Sequence, residues 1–517
     1  MGRPMVPPAP ALGALSAKPL RLKAARLERE GDLAGAFQAY EAAVALTPQD
    51  PELLTALAEL AGQLEMHEAA VRLWAHLSLA DPNGCATALG YGRALLAAAQ
   101  FPEAIEVLKS ALLAHPTEPR LWTTLGLALT YAGRASEALT FFDEGIRLGP
   151  GLPGALYNRG LSLCELGQLK LAEADFQAAC KLARKASERA TIEFSLATLA
   201  LARGELGLGW SLYERRLSPD LPKSVAFQGA GKRLSPAEPL GGRSLLVLAE
   251  QGVGDEIMFA STLPDLIDEL GPKGRLVLAV DPRLVELFQR SFPSAEVCAH
   301  ATPKLGGRAR RQTGVPVNGR IEVWTPLASL AQRYRPAVKD FPRIPYLQPD
   351  PARIAHWRAW LGDERPAVGI TWRSGKLSGD RRRFYPALAH WAELLRAPGV
   401  QFVNLQYGDC AEDLVRLQEL SGVEIRQPPD LDIKDDLDEL AALCCALGGV
   451  VAVQNATGAL AAACGAPTAF VAGPGSWTQL GEDQSPWYAH APMCLTGDFG
   501  DWTPALRAAA EAVRRMA

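Results

Sequence analysis

The stretch TEPRLWTTLGLALTYAGRASEALTFFDEGIRLGP, residues 117–150, decides how the first third of this chain folds. It closes on Pro150, and prolines stand at the same 34-residue interval at Pro48, Pro82 and Pro116. Within it, Gly126 belongs to a series of small residues, Ala24, Ala58, Gly92, Gly126 and Gly160. Ala138 belongs to a second series, Ala36, Ala70, Ala104, Ala138 and Ala172. Phe142 belongs to a bulky third, Tyr40, Trp74, Leu108, Phe142 and Phe176. Small residues 12 positions apart let two antiparallel helices approach closely, and the bulky residue is expected to fill the groove between neighbouring pairs. The proline ends the second helix, because it lacks an N–H and clashes with the preceding turn.

Period, small sites, bulky site and closing proline together resemble the tetratricopeptide repeat (TPR). The resemblance implies an α-superhelical solenoid of five repeats over residues 18–184, with a long concave surface for a peptide or protein. Residues 1–17 are expected to be flexible. Residues 185–218 read as capping helices, in which Ala197, Gly204 and Tyr213 fit the series once three residues are inserted. Residues 219–243, rich in proline and glycine, read as a linker. Tyr157, Asn158 and Arg159 open the fifth repeat as polar candidates for partner contact.

Composition narrows the function. Over 517 residues the net charge is −4, too near neutrality for binding driven by a nucleic-acid backbone. An apolar fraction of 48% with 21% charged residues is that of a globular chain. The longest apolar stretch, 440–453, holds two glycines and falls short of the roughly 18 residues a membrane span needs. Nine scattered cysteines, never spaced C-x-x-C, and seven isolated histidines offer no metal set. With no apolar block near the N-terminus, these features read as reduced thiols in a cytoplasmic protein.

Beyond residue 243, short apolar runs at 244–250, 275–280, 367–371, 401–405, 449–453 and 468–471 alternate with helical patterns. Such alternation implies parallel sheets with right-handed crossovers. Two groups, 244–345 and 346–488, predict two doubly wound domains facing a cleft, with a helix in 489–517 packing back on one of them. Ligands of such sheets sit at the carboxyl ends of strands, which directs attention to three loops. In Gly252-Val-Gly-Asp255, Asp255 is the candidate base, and Gly252 and Gly254 leave room for an acceptor; Ile257 stands where a dinucleotide fingerprint needs a third glycine. In Gln454-Asn-Ala-Thr-Gly-Ala459, Asn455 is a candidate N-cap. The N–H groups after it and Thr457 form an anion cradle that Ala456 and Gly458 leave open to phosphate. In Thr371-Trp-Arg-Ser-Gly-Lys376, Arg373 and Lys376 are expected to reach the cleft and neutralise a phosphate leaving group. The run Arg381, Arg382, Arg383 reads as largely solvated. No metal is assigned to Asp430 and Asp432, since Asp435 and Asp436 beside them read as first-turn helix acids.

Ala249-Glu-Gln-Gly-Val-Gly-Asp-Glu-Ile-Met258 is preceded by Gly209-Trp-Ser-Leu-Tyr-Glu-Arg215 and followed by Asp436-Leu-Asp-Glu-Leu-Ala-Ala-Leu443, Asn455-Ala-Thr457 and Ser485-Pro-Trp-Tyr488. Together they resemble the TPR-linked GT-B glycosyltransferases, similar to bacterial heptosyltransferases in the catalytic half and to protein O-GlcNAc transferase in plan. The resemblance implies inverting, metal-independent transfer of a sugar from a nucleotide donor to Ser or Thr of an acceptor protein held by the solenoid. Asp255 would be the base, 455–459 the phosphate helix, and Arg373 or Lys376 the basic residue, with no cofactor beyond the nucleotide sugar. Many relatives carry Asp-Thr-Ser-x-x-x-His at that helix. Gln454-Asn-Ala-Thr-Gly-Ala-Leu460 lacks the histidine and resembles the flagellin-modifying branch. That implies flagellin as acceptor and a nonulosonic acid, such as pseudaminic or legionaminic acid, as the sugar, and it leaves the carrier open between CMP and a nucleoside diphosphate. The same residues also admit a catalytically silent TPR adaptor and a glycan-building transferase of heptosyltransferase type.

Overall fold

The computed structural model describes residues 17–305, 308–362, 365–375, 379–497 and 499–516. Of the segment expected to be flexible, only Ala17 falls among them. The chain forms two compact units, one built on repeats one to four, the other on the fifth repeat and the α/β half of the chain.

In the first unit, Ala17–Glu30 pairs with Leu33–Leu46, Pro51–Gln63 with His67–Ala80, Cys85–Ala97 with Phe101–Ala114, and Pro119–Tyr131 with Ala135–Leu148. Asp32, Asp50 and Glu118 cap three of these helices by accepting hydrogen bonds from first-turn N–H groups. A methyl group on Gly92 would lie 2.8 Å from Leu108, and one on Gly126 2.8 Å from Phe142. These bulky residues therefore seat directly on the small residue of their own pair, and Leu108 and Phe142 share a buried cluster that spans neighbouring pairs. Trp74 reaches across, where it would collide with any side chain at Gly90 of the next pair.

The second unit opens with the fifth pair, Pro153–Glu165 and Leu169–Leu182, followed by Ala186–Ala202 and Leu206–Tyr213. Arg159 is not free for a partner: its guanidinium holds Asp175 through two bonds of 2.7 and 2.6 Å. Tyr157 shares a 3.2 Å hydrogen bond with Ser195.

The first sheet contains β1 (Ala226–Phe227), β2 (Lys232–Arg233), β3 (Ser244–Leu248), β4 (Arg275–Val280), β5 (Ala295–Ala301), β6 (Lys304–Leu305), β7 (Arg308–Thr313) and β8 (Val323–Pro326). Its order is β1-β7-β5-β4-β3-β8-β2, with β6 on β7; only the β5–β7 and β6–β7 pairings are antiparallel. The second contains β9 (Ala367–Thr371), β10 (Gln401–Asn404), β11 (Ile425–Arg426), β12 (Gly449–Val453), β13 (Thr468–Ala472) and β14 (Met493–Leu495). All its pairs are parallel, in the order β11-β10-β9-β12-β13-β14. In each sheet the strand order reverses beside its first central strand, β3 or β9, which opens a crevice at the carboxyl ends.

One expectation changes here. Residues 219–243 are not a free linker, because β1 and β2 pair with β7 and β8 at opposite edges of the first sheet. Residues 185–218, read as capping helices, also contribute to the core of the α/β half. Ala197, Trp210 and Tyr213 belong to one buried core that continues through the first sheet to Met493. Trp210 donates to the Arg335 carbonyl at 2.8 Å and packs edge-on against Phe259, Trp477 and Trp487. The final helix, Thr503–Met516, lays Ala505, Leu506, Ala509 and Val513 in the core of the second sheet. No helix among the described residues is long and apolar enough to cross a membrane, and all nine cysteines are free thiols.

Candidate functional site

A cavity of about 670 Å³ opens where the carboxyl ends of β3, β9 and β12 converge. Gly252, Gly254 and Asp255 enter it from the β3 loop, Asn455, Ala456 and Thr457 from the β12 loop. The two loops touch: a methyl group on Gly254 would lie 3.3 Å from Ala456 Cα. A side chain at 254 would press on Ala456, and the close approach brings the acid beside the start of helix Ala456–Ala463.

The β3 loop carries three acids, and only one faces the cavity. Glu250 is bound by Arg216 through bonds of 2.8 and 2.7 Å and accepts the Ala328 N–H at 2.9 Å. Glu256 is held by His300 Nε2 and the Asp281 N–H, each at 2.8 Å. Asp255 accepts one bond, from the Gly252 N–H at 3.1 Å, and lines the cavity. Burial pushes its pKa up to about 6, with Glu250 and Glu256 adding to the rise, while the Gly252 bond and the Arg381 charge oppose it. Just before it, Gln251 sits in the left-handed region at φ 64° and donates to Tyr213 Oη at 2.8 Å. Such a backbone costs a non-glycine residue about 1–3 kcal/mol and persists only when its surroundings hold it. The segment 209–215 supplies that hold through Tyr213, and Arg216 next to it pins Glu250.

On the second sheet, Asn455 caps its helix by accepting the Gly458 N–H at 3.0 Å. Its amide donates to Thr371 Oγ1 at 2.8 Å and to the Arg373 carbonyl at 3.1 Å, tying the cradle to β9. Thr457 is buried, its hydroxyl 3.5 Å from the Leu405 carbonyl. Gly458 does not line the cavity; a methyl there would lie 2.7 Å from both Ala452 and Phe470, so the position serves helix-to-sheet packing and not phosphate access. Arg373 is likewise absent from the walls. Its guanidinium bonds Asp413 at 2.7 Å and the Asp409 carbonyl at 2.5 Å. Lys376 lies outside the described residues.

Among the described residues, the basic side chains that line the cavity are Arg283, Arg381 and Lys434. The three-arginine run divides: Arg383 is paired with Glu165 at 2.7 Å, whereas Arg381 lines the cavity. A charged run at 3.6-residue geometry cannot reveal which member is turned inward. Asp281 is occupied by Arg283 at 2.8 and 3.0 Å. Asp432 caps the 434–435 backbone at 2.9 and 3.0 Å, and Asp436 caps helix Leu437–Ala446. Ser485, Trp487 and Tyr488 close the remaining wall; their motif was visible in the sequence, but not that it faces Asp255.

The fold is thus a tetratricopeptide solenoid joined to a two-sheet, mostly parallel α/β unit with one shared crevice. Residues 89–153 and 153–185 match tetratricopeptide-repeat family models. Protein FlbA of Caulobacter vibrioides is 42% identical over 494 residues, 95% of this chain and 83% of that protein, so the chain belongs to the FlbA family. The peroxisomal targeting signal receptor of Candida albicans is 32% identical over 82 residues, 16% of this chain and 14% of the receptor. A thermophilic TPR protein of Thermus thermophilus aligns at 21% identity with a TM-score of 0.32, over 36% of this chain and all of its own.

Proposed function

We propose that this protein is a GT-B glycosyltransferase that moves a sugar from a nucleotide donor to a serine or threonine of an acceptor protein, with inversion and without a required metal. The observation that carries the proposal is Asp255, the one acid of its loop left facing the cavity and raised to a pKa of about 6. A hydroxyl is a poor nucleophile near neutrality, and a carboxylate within reach must take its proton as the new glycosidic bond forms. The proton passes to Asp255, and the bond to the nucleotide phosphate breaks on the opposite face of the sugar. The departing phosphate gains negative charge, which the N–H groups of helix Ala456–Ala463 and the Arg381 guanidinium can balance.

The acceptor we propose is flagellin, held by the repeats, and the sugar a nonulosonic acid. Both rest on the likeness of 454–460 to the flagellin-modifying branch. Asp255→Asn tests the proposal. The variant should fold, bind nucleotide as the wild type does, and transfer about 10²–10⁴ times more slowly. Near-wild-type transfer would refute Asp255 as base. A thermal-shift series with CMP, UDP, ADP and GDP that leaves melting unchanged would favour a silent adaptor.

A further inference from the structure

A second cavity, of about 530 Å³, adjoins the first and shares Arg381, Gln454 and Thr478 with it. One wall is the fifth repeat and helix Ala186–Ala202, which contribute Phe176 and Leu199. The other is the loop after β13, which contributes Trp477, with Phe499 behind it. Apart from Arg381 at the shared mouth, the charges lining it are matched to one another, Arg383 with Glu165, each side chain 9% exposed. Hydroxyls mark the boundary: Gln454 donates to Thr478 Oγ1 at 3.1 Å, and Ser476 and Thr478 share a 2.8 Å bond.

We propose that this second cavity is an acceptor subsite, taking an extended stretch of the acceptor polypeptide that carries an aliphatic or aromatic side chain close to the modified serine or threonine. It rests on the transferase reading. A protein acceptor cannot end inside the first cavity; its chain must leave, and the second cavity is the continuous space with common walls. Because the two cavities share walls, the side chain that fills the second belongs within a few residues of the hydroxyl at Asp255. Matched charges and aromatic walls favour an apolar side chain over phosphate, whose complement is the helix start and Arg381 in the first cavity. The boundary hydroxyls and the Gln454 amide offer bonds to peptide groups crossing between the two.

The test fills the second cavity from its repeat-side wall. Ala202→Trp lines only that cavity; Thr198→Phe, on the same helix, serves if the first variant melts lower than the wild type. Free-nucleotide affinity, measured with CMP, UDP, ADP and GDP, should match the wild type, and the KM for flagellin should rise about tenfold or more. Flagellin in which apolar residues flanking the modified sites are replaced by aspartate should be a correspondingly poor substrate for the wild type. An unchanged KM in a folded variant overturns the proposal, and so does lost nucleotide affinity, which would put the donor's base there. If the wild type binds no nucleotide, the transferase reading itself fails. Flagellin binding then decides separately, since equal affinity in wild type and variant removes the subsite.

Discussion

Asp255 can take a proton only as a carboxylate, so the pH dependence of transfer carries its signature. With a folded pKa of about 6, transfer should fall as pH drops through about 6, and initial rates across pH 5–8 should show that limb. Stability runs the other way. The folded pKa is raised above the ordinary aspartate value, so the fold holds the proton more tightly than the unfolded chain does. The neutral acid's advantage is complete near pH 4 and is lost as pH rises through about 6. Asn never ionises, so Asp255→Asn should be more stable than the wild type at pH 8, by about 1–3 kcal/mol, with the gap closing toward pH 4. Denaturant melts at the two pH values check this; equal gaps would mean the carboxylate is well solvated. The acid itself was legible because it follows Gly-x-Gly at a strand end. That Glu250 and Glu256 are spoken for was not, since Arg216 and His300, which hold them, lie 34 and 44 positions away with no pattern linking them.

Helix Ala456–Ala463 shows how an element can be legible while the role of one of its residues is not. Its start was readable from Asn455, a residue type that caps by accepting a first-turn N–H. The glycine three positions on looked like room for phosphate, but its empty space points at Ala452 and Phe470. Phe470 in turn stacks on Tyr488 with ring centroids 5.8 Å apart, and both line the cavity. Gly458→Ala should therefore cost about 1–3 kcal/mol by overpacking and weaken nucleotide binding through the displaced rings. Gly126→Ala in the solenoid, which presses on Phe142 at 2.8 Å, should carry a similar cost with nucleotide affinity untouched. Urea midpoints and nucleotide titrations separate the two; an unchanged affinity in Gly458→Ala would restore the phosphate-access role. The same contrast explains the fold. Repeat helices announce themselves because their contacts recur at a fixed short interval. The two-residue strands β1 and β2 are defined by partners 84 and 91 positions away, at Arg310 and Val323, and leave no local periodicity.

The whole molecule does not divide where its composition changes. A cut in the proline- and glycine-rich stretch near residue 218 would separate Trp210 from Arg335, Tyr213 from Gln251, and Arg216 from Glu250. Arg216 and Glu250 are both buried, and removing one partner of such a pair costs about 3–5 kcal/mol because the other charge is left stranded. Trp210 and Tyr213 also carry an aromatic cluster with Phe259 and Trp477 that draws on both α/β sheets' helices and loops. The fifth repeat belongs to the same compact unit. Fragment 151–517 should therefore melt cooperatively and bind nucleotide with the affinity of the full chain, while fragment 219–517 should show neither property. The longer fragment should nonetheless modify flagellin with a much higher KM, because it lacks the four repeats that present most of the proposed acceptor surface. Calorimetry, nucleotide titration and transfer kinetics on the two fragments decide among the outcomes. A cooperative, nucleotide-binding 219–517 would show that the last helix pair is dispensable to the α/β fold. Wild-type transfer by 151–517 would move acceptor recognition out of the first four repeats and into the second unit alone.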